Sequence, residues 1–158
     1  MAKRIGLAER TGRGIDRIFE GTLRYGRPCP NYSRTTETSV NLHVANAEPD
    51  FDFLDLLNAE EGKTGKTFPF DSLLVLSALR ENRRLLIADI ANALQVRVED
   101  ARPVVEELVE RGILEAQGRG KCRAYILSAN VYRKSGREIE YVRQSGLSEI
   151  EYEQMVLK

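Results

Sequence analysis

The 158-residue chain has no tryptophan, two cysteines and one histidine, and its formal net charge is zero. A balanced charge argues against a chain coated with basic residues, so any surface for nucleic acid must be local. Cys29 and Cys122 lie too far apart for a paired metal-ligand motif, and the sequence leaves a disulfide open, although a reducing cytosol favours two thiols. No apolar run approaches the ~18 residues that span a bilayer, and no apolar signal core begins the chain. We therefore expect a soluble, cytoplasmic protein without a membrane partner.

Groups that carry catalysis are also scarce. His43 is the only histidine, and it has no cysteine or carboxylate at ligand spacing. That isolation is typical of a surface histidine rather than of a general base or a metal ligand. No Ser-His-Asp set, carboxylate pair or metal cluster is discernible. We expect no enzymatic activity, no catalytic residue, no metal and no cofactor.

The zero net charge hides three segments of strongly uneven charge. Residues 1–34 contain eight basic and three acidic residues, and residues 35–61 contain seven acidic and no basic residues. Residues 117–137 contain six basic and no acidic residues. The last segment is therefore the strongest candidate for contact with a polyanion.

The first 66 residues predict a small α/β region. A helix follows Gly12-Arg13-Gly14, carries an apolar stripe and ends near Gly26, a residue suited to a left-handed cap. Residues 36–44 alternate apolar and polar side chains, which predicts a half-buried strand. Residues 48–61 predict an acidic amphipathic helix. The glycine-bearing residues 61–67 predict a linker, because a phosphate loop would need glycine where Glu60 stands.

Residues 71–128 predict a winged helix-turn-helix. Asp71 is the expected N-cap of a first helix that ends at Asn82-Arg83, and a short apolar run then precedes a helix over 88–94. A turn at 95–98 leads to a third helix over 99–111, which Gly112 closes. Two strands over 113–116 and 123–127 flank a glycine-rich basic turn, and this hairpin is the expected wing.

Basic residues on the third helix and the wing are the candidate DNA-binding residues. Outward residues near the start of such a helix meet base edges, and a basic hairpin can contact the backbone or a minor groove. Glu99, Asp100, Glu106 and Glu107 oppose this interpretation because carboxylates repel phosphates. The candidate DNA-binding residues are Arg97, Arg102, Arg119, Lys121 and Arg123. Gly12 and Gly14 are weaker candidates for nucleotide binding, since amides ahead of a helix can meet an anion.

With these elements in this order, the chain resembles the C-terminal half of a family of bacterial and archaeal predicted transcriptional regulators. These regulators carry an N-terminal Schlafen-type AlbA domain, then an ATP-binding region related to histidine-kinase-type ATPases, then winged helices. The stretches that carry the resemblance are GLAERTGRGIDRIFEGTLRYGRPCPNY, TSVNLHV, LLVLSALRENRRLLIADIANALQV, VVEELVERGILEAQGRGKCRAYILSANVYRK and YVRQSGL. The resemblance implies transcription regulation and places the end of an ATP-binding-type region in residues 1–66.

Together these features predict an α+β protein. Its expected parts are an N-terminal α/β remnant with an acidic helix and linker over 1–66, a winged helix-turn-helix over 67–137, and a helical extension over 138–158. The leading function is a DNA-binding transcriptional regulator that contacts double-stranded DNA and forms a homodimer. The alternative is a protein-interaction or dimerisation module with little intrinsic DNA affinity, because the fold alone does not fix the function.

Overall fold

The computed structural model describes residues 13–134. Within them the chain divides into two compact units inside helix α3 (Phe70–Asn82), the first reaching Leu73 and the second beginning at Leu74. Six α-helices and a three-stranded antiparallel sheet in these residues confirm the expected α+β class. The domain limits inferred from the sequence stay predictions, and the helical extension expected over 138–158 lies outside the described residues.

Helix α1 (Arg13–Arg24) opens the first unit and packs against α2 (Phe51–Thr64). The chain leaves α1 at Gly26, which has the left-handed φ of 63° that the sequence predicts. Leu23 is buried, but Ile15 and Ile18 at the start of the predicted apolar stripe are exposed. Only the C-terminal end of that stripe therefore belongs to the core of the unit.

Helix α2 has well-defined ends. The Asp50 side chain accepts a hydrogen bond from the Phe53 amide at 3.0 Å, and Gly65 ends the helix with a φ of 67°. The helix thus continues through residues 62–64, where a linker was predicted, and that prediction is wrong for these residues. Phe53, Leu56 and Leu57 are buried along the helix, whereas Phe51 is 62% exposed.

The strand predicted over residues 36–44 is not formed. The segment is exposed throughout, and its one ladder contact is an isolated antiparallel bridge between Asn31 and His43. Val40, on the face expected to be buried, is 79% exposed. An alternating pattern makes a stable strand only when neighbouring strands supply hydrogen bonds and an apolar surface, and residues 13–73 contain no strand that does so. The prediction that His43 is exposed is confirmed.

Glu61 connects three parts of the first unit. Its carboxylate accepts two hydrogen bonds from the Arg24 guanidinium, at 2.9 and 2.7 Å, and a third from the Phe68 amide at 2.8 Å. The hydrogen bonds to Glu61 raise the pKa of Arg24 above its ordinary value. The side chains of Arg24 and Glu61 are only 23% and 14% exposed, so water screens the pair weakly. This carboxylate therefore fixes α1 against α2 and holds the segment that leads into α3.

We expect Glu61→Gln to lower the free energy of unfolding by about 2 kcal/mol, because it removes charge-assisted hydrogen bonds to a half-buried guanidinium. Lys63→Ala is the control, since its ion pair with Glu60 in the same helix has a lysine side chain that is 63% exposed. That change should cost less than about 0.5 kcal/mol. Urea denaturation of both variants measures the difference, and equal losses would contradict the role given to Glu61.

The second unit contains the rest of α3 and the elements that follow it. They are β1 (Arg84–Leu86), α4 (Ile87–Leu94), α5 (Val98–Glu110), β2 (Leu114–Gln117), β3 (Ala124–Leu127) and α6 (Ala129–Lys134). Each lies within about two residues of its predicted position. Asp71 is a correction, because α3 begins at Phe70 and places Asp71 in the first turn rather than at the N-cap. There its charge faces the positive end of the helix dipole.

Two residues with left-handed backbone shape the helical part of the unit. Arg83 (φ 61°) separates α3 from β1, and Gln95 (φ 57°) ends α4 before the turn into α5. The start of α4 is held by the Asp89 carboxylate, which accepts from the Leu86 amide at 3.0 Å. The inward face of α5 is formed by Ala101, Val105 and Leu108, which are buried along it.

The sheet has the order β1-β3-β2, with both pairs antiparallel. All four residues of the central β3 are buried. At the end of the sheet away from the hairpin turn, the Ser128 hydroxyl donates to the Gly112 carbonyl oxygen at 2.7 Å and the Ser128 amide donates to the Ile113 carbonyl oxygen at 2.8 Å. Three helices, a short first strand and a terminal hairpin occur in the expected order. The second unit is a winged helix-turn-helix.

Candidate nucleic-acid interface

The wing is the hairpin of β2 and β3 with its turn, residues 114–127. The pairing of Gln117 with Ala124 closes the ladder, and one turn of 3₁₀ helix over Gly120–Cys122 lies in the loop beyond it. Gly118 and Gly120 have φ values of 79° and 60°, which other residues adopt only with strain. The turn therefore presents backbone without side chains at two positions beside basic residues.

The turn of the wing contains the three basic residues that the sequence predicts to bind DNA. Arg119 is exposed at the start of the 3₁₀ turn, and no salt bridge in residues 13–134 engages it. Arg123 lies at the other end of the turn, where its amide donates to the Gly120 carbonyl oxygen at 3.3 Å. The backbone of Lys121 lies between them. These three residues form one basic turn, with no acidic residue between Glu115 and Lys134.

Tyr125 is a part of the wing that the sequence interpretation missed. The Arg123 guanidinium lies 5.5 Å from the centroid of the Tyr125 ring. A cation at this distance is attracted to the ring face, which limits the rotamers of the arginine without neutralising its charge. The spacing of Arg123 and Tyr125 in the sequence could have predicted this contact, because residues two apart on a strand share one face.

Arg97 is the N-cap residue of α5, and its charge is already matched. Its guanidinium donates to the Asp100 carboxylate, from Nε at 3.0 Å and from Nη2 at 3.3 Å. Hydrogen bonding to Asp100, followed by the charges of Asp100 and Glu99, raises the pKa of Arg97 above its ordinary value. The arginine side chain is 79% exposed, so it is accessible to a ligand as part of an ion pair rather than as a lone cation.

The remaining outer face of α5 is acidic. Arg102 is exposed one turn into the helix, and no salt bridge in residues 13–134 involves it. Its exposed neighbours on α5 include five carboxylates, which belong to Glu99, Asp100, Glu106, Glu107 and Glu110. Asp100 pairs with Arg97, and Glu107 lies 3.7 Å from the Arg111 guanidinium. The basic candidates of α5 therefore lie among acids, whereas those of the wing lie in a turn that contains no acidic residue.

Gly12 and Gly14 are the glycines that the sequence proposes for nucleotide binding. Helix α1 begins at Arg13, so Gly14 lies within its first turn rather than ahead of it. Gly12 lies outside the described residues. Their role in binding nucleotide stays a prediction.

Metal ligands and membrane spans are absent from the described part of the chain. No group of histidine, cysteine, aspartate or glutamate in residues 13–134 could hold a metal ion, and Cys29 and Cys122 form no disulfide. None of the helices in these residues is both long and apolar enough to cross a bilayer.

No model of a known protein family matches the chain, and no curated protein matches it in sequence. Among solved structures, the DIP2311 protein from Corynebacterium diphtheriae is similar, with a TM-score of 0.62 and 18% sequence identity. The alignment covers 84% of this chain and 24% of that chain, so this chain spans about a quarter of the length of DIP2311. The similarity is one of fold.

Two further solved structures are similar at lower scores. AbfR in an overoxidized form bound to DNA has a TM-score of 0.38 and 17% identity, over 67% of this chain and 84% of AbfR. The oxidized form of MarR from E. coli has a TM-score of 0.36 and 19% identity, over 66% of this chain and 85% of MarR.

We expect Gly118→Ala to distort the wing more than Gly120→Ala. Both glycines have positive φ, so either alanine costs roughly 1 kcal/mol of backbone strain. A Cβ at Gly118 would also lie 3.1 Å from the Cys122 carbonyl oxygen, whereas a Cβ at Gly120 meets nothing within 4 Å. Urea denaturation should give a larger loss of unfolding free energy for Gly118→Ala, and equal losses would show that the turn relaxes around the added methyl group.

Proposed function

We propose that the chain is the DNA-binding part of a transcriptional regulator and that its winged helix binds double-stranded DNA. The observation that carries the proposal is the wing, where Arg119, Lys121 and Arg123 occupy one turn without an acidic residue and the Arg119 side chain is exposed. Phosphates attract such a turn regardless of base sequence, and each neutralised phosphate releases bound counterions. DNA binding through the wing does not require Arg97 or Arg102, the contact residues that the sequence predicts on α5, because both lie beside carboxylates.

We also propose that this winged helix belongs to the family of regulators with an N-terminal Schlafen-type AlbA domain. The support is the sequence resemblance, above all the stretch ERTGRGIDRI near the N-terminus. On this proposal residues 1–66 are the end of an ATP-binding-type region, the protein acts in the cytoplasm, and the winged helix delivers the regulator to DNA.

Neutralising the wing should weaken binding to every duplex alike. The variant Arg119→Gln, Lys121→Gln, Arg123→Gln removes three cations, so the slope of log K against log salt should become less negative by as much as ~3. Fluorescence anisotropy with labelled duplexes of unrelated sequence, at several salt concentrations, measures both the affinity and the slope.

The control removes three cations elsewhere, all of them exposed. Lys63→Gln, Lys66→Gln and Arg83→Gln change the net charge equally, and the strand register places Arg83 at the end of β1 away from the hairpin turn. The control should retain most of the affinity. Equal losses in the two triple variants would show a general effect of net charge and would remove the wing from the proposal.

The second candidate is a protein-interaction module that forms a homodimer and has little affinity for DNA, and it is supported by the acidic outer face of α5, which repels phosphates. Analytical ultracentrifugation combined with a duplex titration separates the two functions. A dimer without salt-dependent DNA binding supports the interaction module. Salt-dependent binding that is lost in the wing variant supports the DNA-binding regulator, whether the chain is a monomer or a dimer.

A further inference from the structure

The outer face of α5 has the wrong charge for a helix that enters the major groove. Glu99, Arg102 and Glu106 lie three and four residues apart, so they form one stripe along α5. If the helix entered the groove, this stripe would meet the base edges. All three are exposed, and Glu106 has no salt bridge within residues 13–134. The phosphates of both strands line the groove, so these carboxylates would lie among negative charges.

The basic residues near the start of α5 do not compensate for those carboxylates. Arg97 is paired with Asp100 through two hydrogen bonds, which leaves Arg102 as the single exposed arginine on the helix itself. The net charge that α5 presents outward is therefore negative.

The wing has the opposite properties. Its acid nearest in sequence is Glu115, whose carboxylate is occupied by the Ala129 amide at 3.0 Å, at the end of the hairpin away from the turn. The turn has two glycines with positive φ, so its backbone can approach a phosphate or a groove wall closely. Arg119 projects from an exposed turn, and Arg123 is oriented by the Tyr125 ring.

We infer that, if the chain binds duplex DNA as proposed above, the wing holds the phosphate backbone while the acidic face of α5 stays out of the major groove. This winged helix then recognises the shape and charge of a duplex rather than a base sequence. Arg119 contacts phosphate, and Arg102 does not. The carboxylates of α5 repel the DNA phosphates, and they therefore disfavour a docked arrangement in which α5 contacts base edges.

Two single variants with the same change of charge test this arrangement. Arg119→Gln should make the salt slope less negative by about 0.9, which corresponds to one phosphate contact, and Arg102→Gln should leave the slope unchanged. Glu106→Gln, on the same stripe as Arg102, should change the affinity by less than about twofold at 0.15 M salt, where charges beyond the Debye length are screened. Melting curves should match that of the unchanged protein, because all three side chains are exposed.

A modified duplex tests the groove directly. Substituting 7-deazaguanine for guanine removes the N7 acceptor that arginine uses in the major groove, and we expect the affinity to change by less than about twofold. A fall of about tenfold, or a slope change for Arg102→Gln as large as that for Arg119→Gln, would place α5 in the groove and overturn the inference while leaving DNA binding intact. Absence of salt-dependent binding by the unchanged chain would overturn DNA binding itself.

Discussion

The pairing of β3 with both neighbouring strands is the constraint on which the winged helix depends. All four residues of β3 are buried, and its register fixes Leu114 opposite Leu127 and Gln117 opposite Ala124. Because the ladder ends at Gln117 and Ala124, the six residues between them must form a turn beyond the sheet. The position of Arg119 and Arg123 is therefore a consequence of strand register: a one-residue slip would turn every side chain of the hairpin to the opposite face.

The helices of the second unit could be predicted from the sequence because their determinants are local. The inward face of α5 follows from the spacing of Ala101, Val105 and Leu108, and its end follows from the left-handed Gly112. The segment 36–44 could not be predicted in this way. Its alternation is as clear as that of a real strand, but strand formation needs a partner elsewhere in the chain, and a pattern within nine residues contains no information about one.

Residues 62–64 show the opposite error, because a helix is present there and the local composition does not predict it. Glycine, lysine and threonine suggest a linker, yet the helix persists to Thr64 because Glu61 is held by Arg24, 37 residues earlier, and by the Phe68 amide. A distant arginine thus outweighs the weak helix propensity of Gly62, which costs roughly 1 kcal/mol relative to alanine. Gly65, with its left-handed φ, is where the helix can end without strain.

The candidate interface shows why a fold does not settle a binding mode. The positions of Arg97, Arg102, Arg119 and Arg123 are those that the sequence predicts, but their surroundings divide them into two groups. Arg97 is matched by Asp100 three residues later, a spacing readable from the sequence, and Arg102 lies among carboxylates. Arg119 and Arg123 have no acid near them in the turn. Since phosphates respond to the local sum of charges, the same winged helix can present an attractive hairpin and a repulsive third helix, and the electrostatics of each surface then determine which one meets DNA.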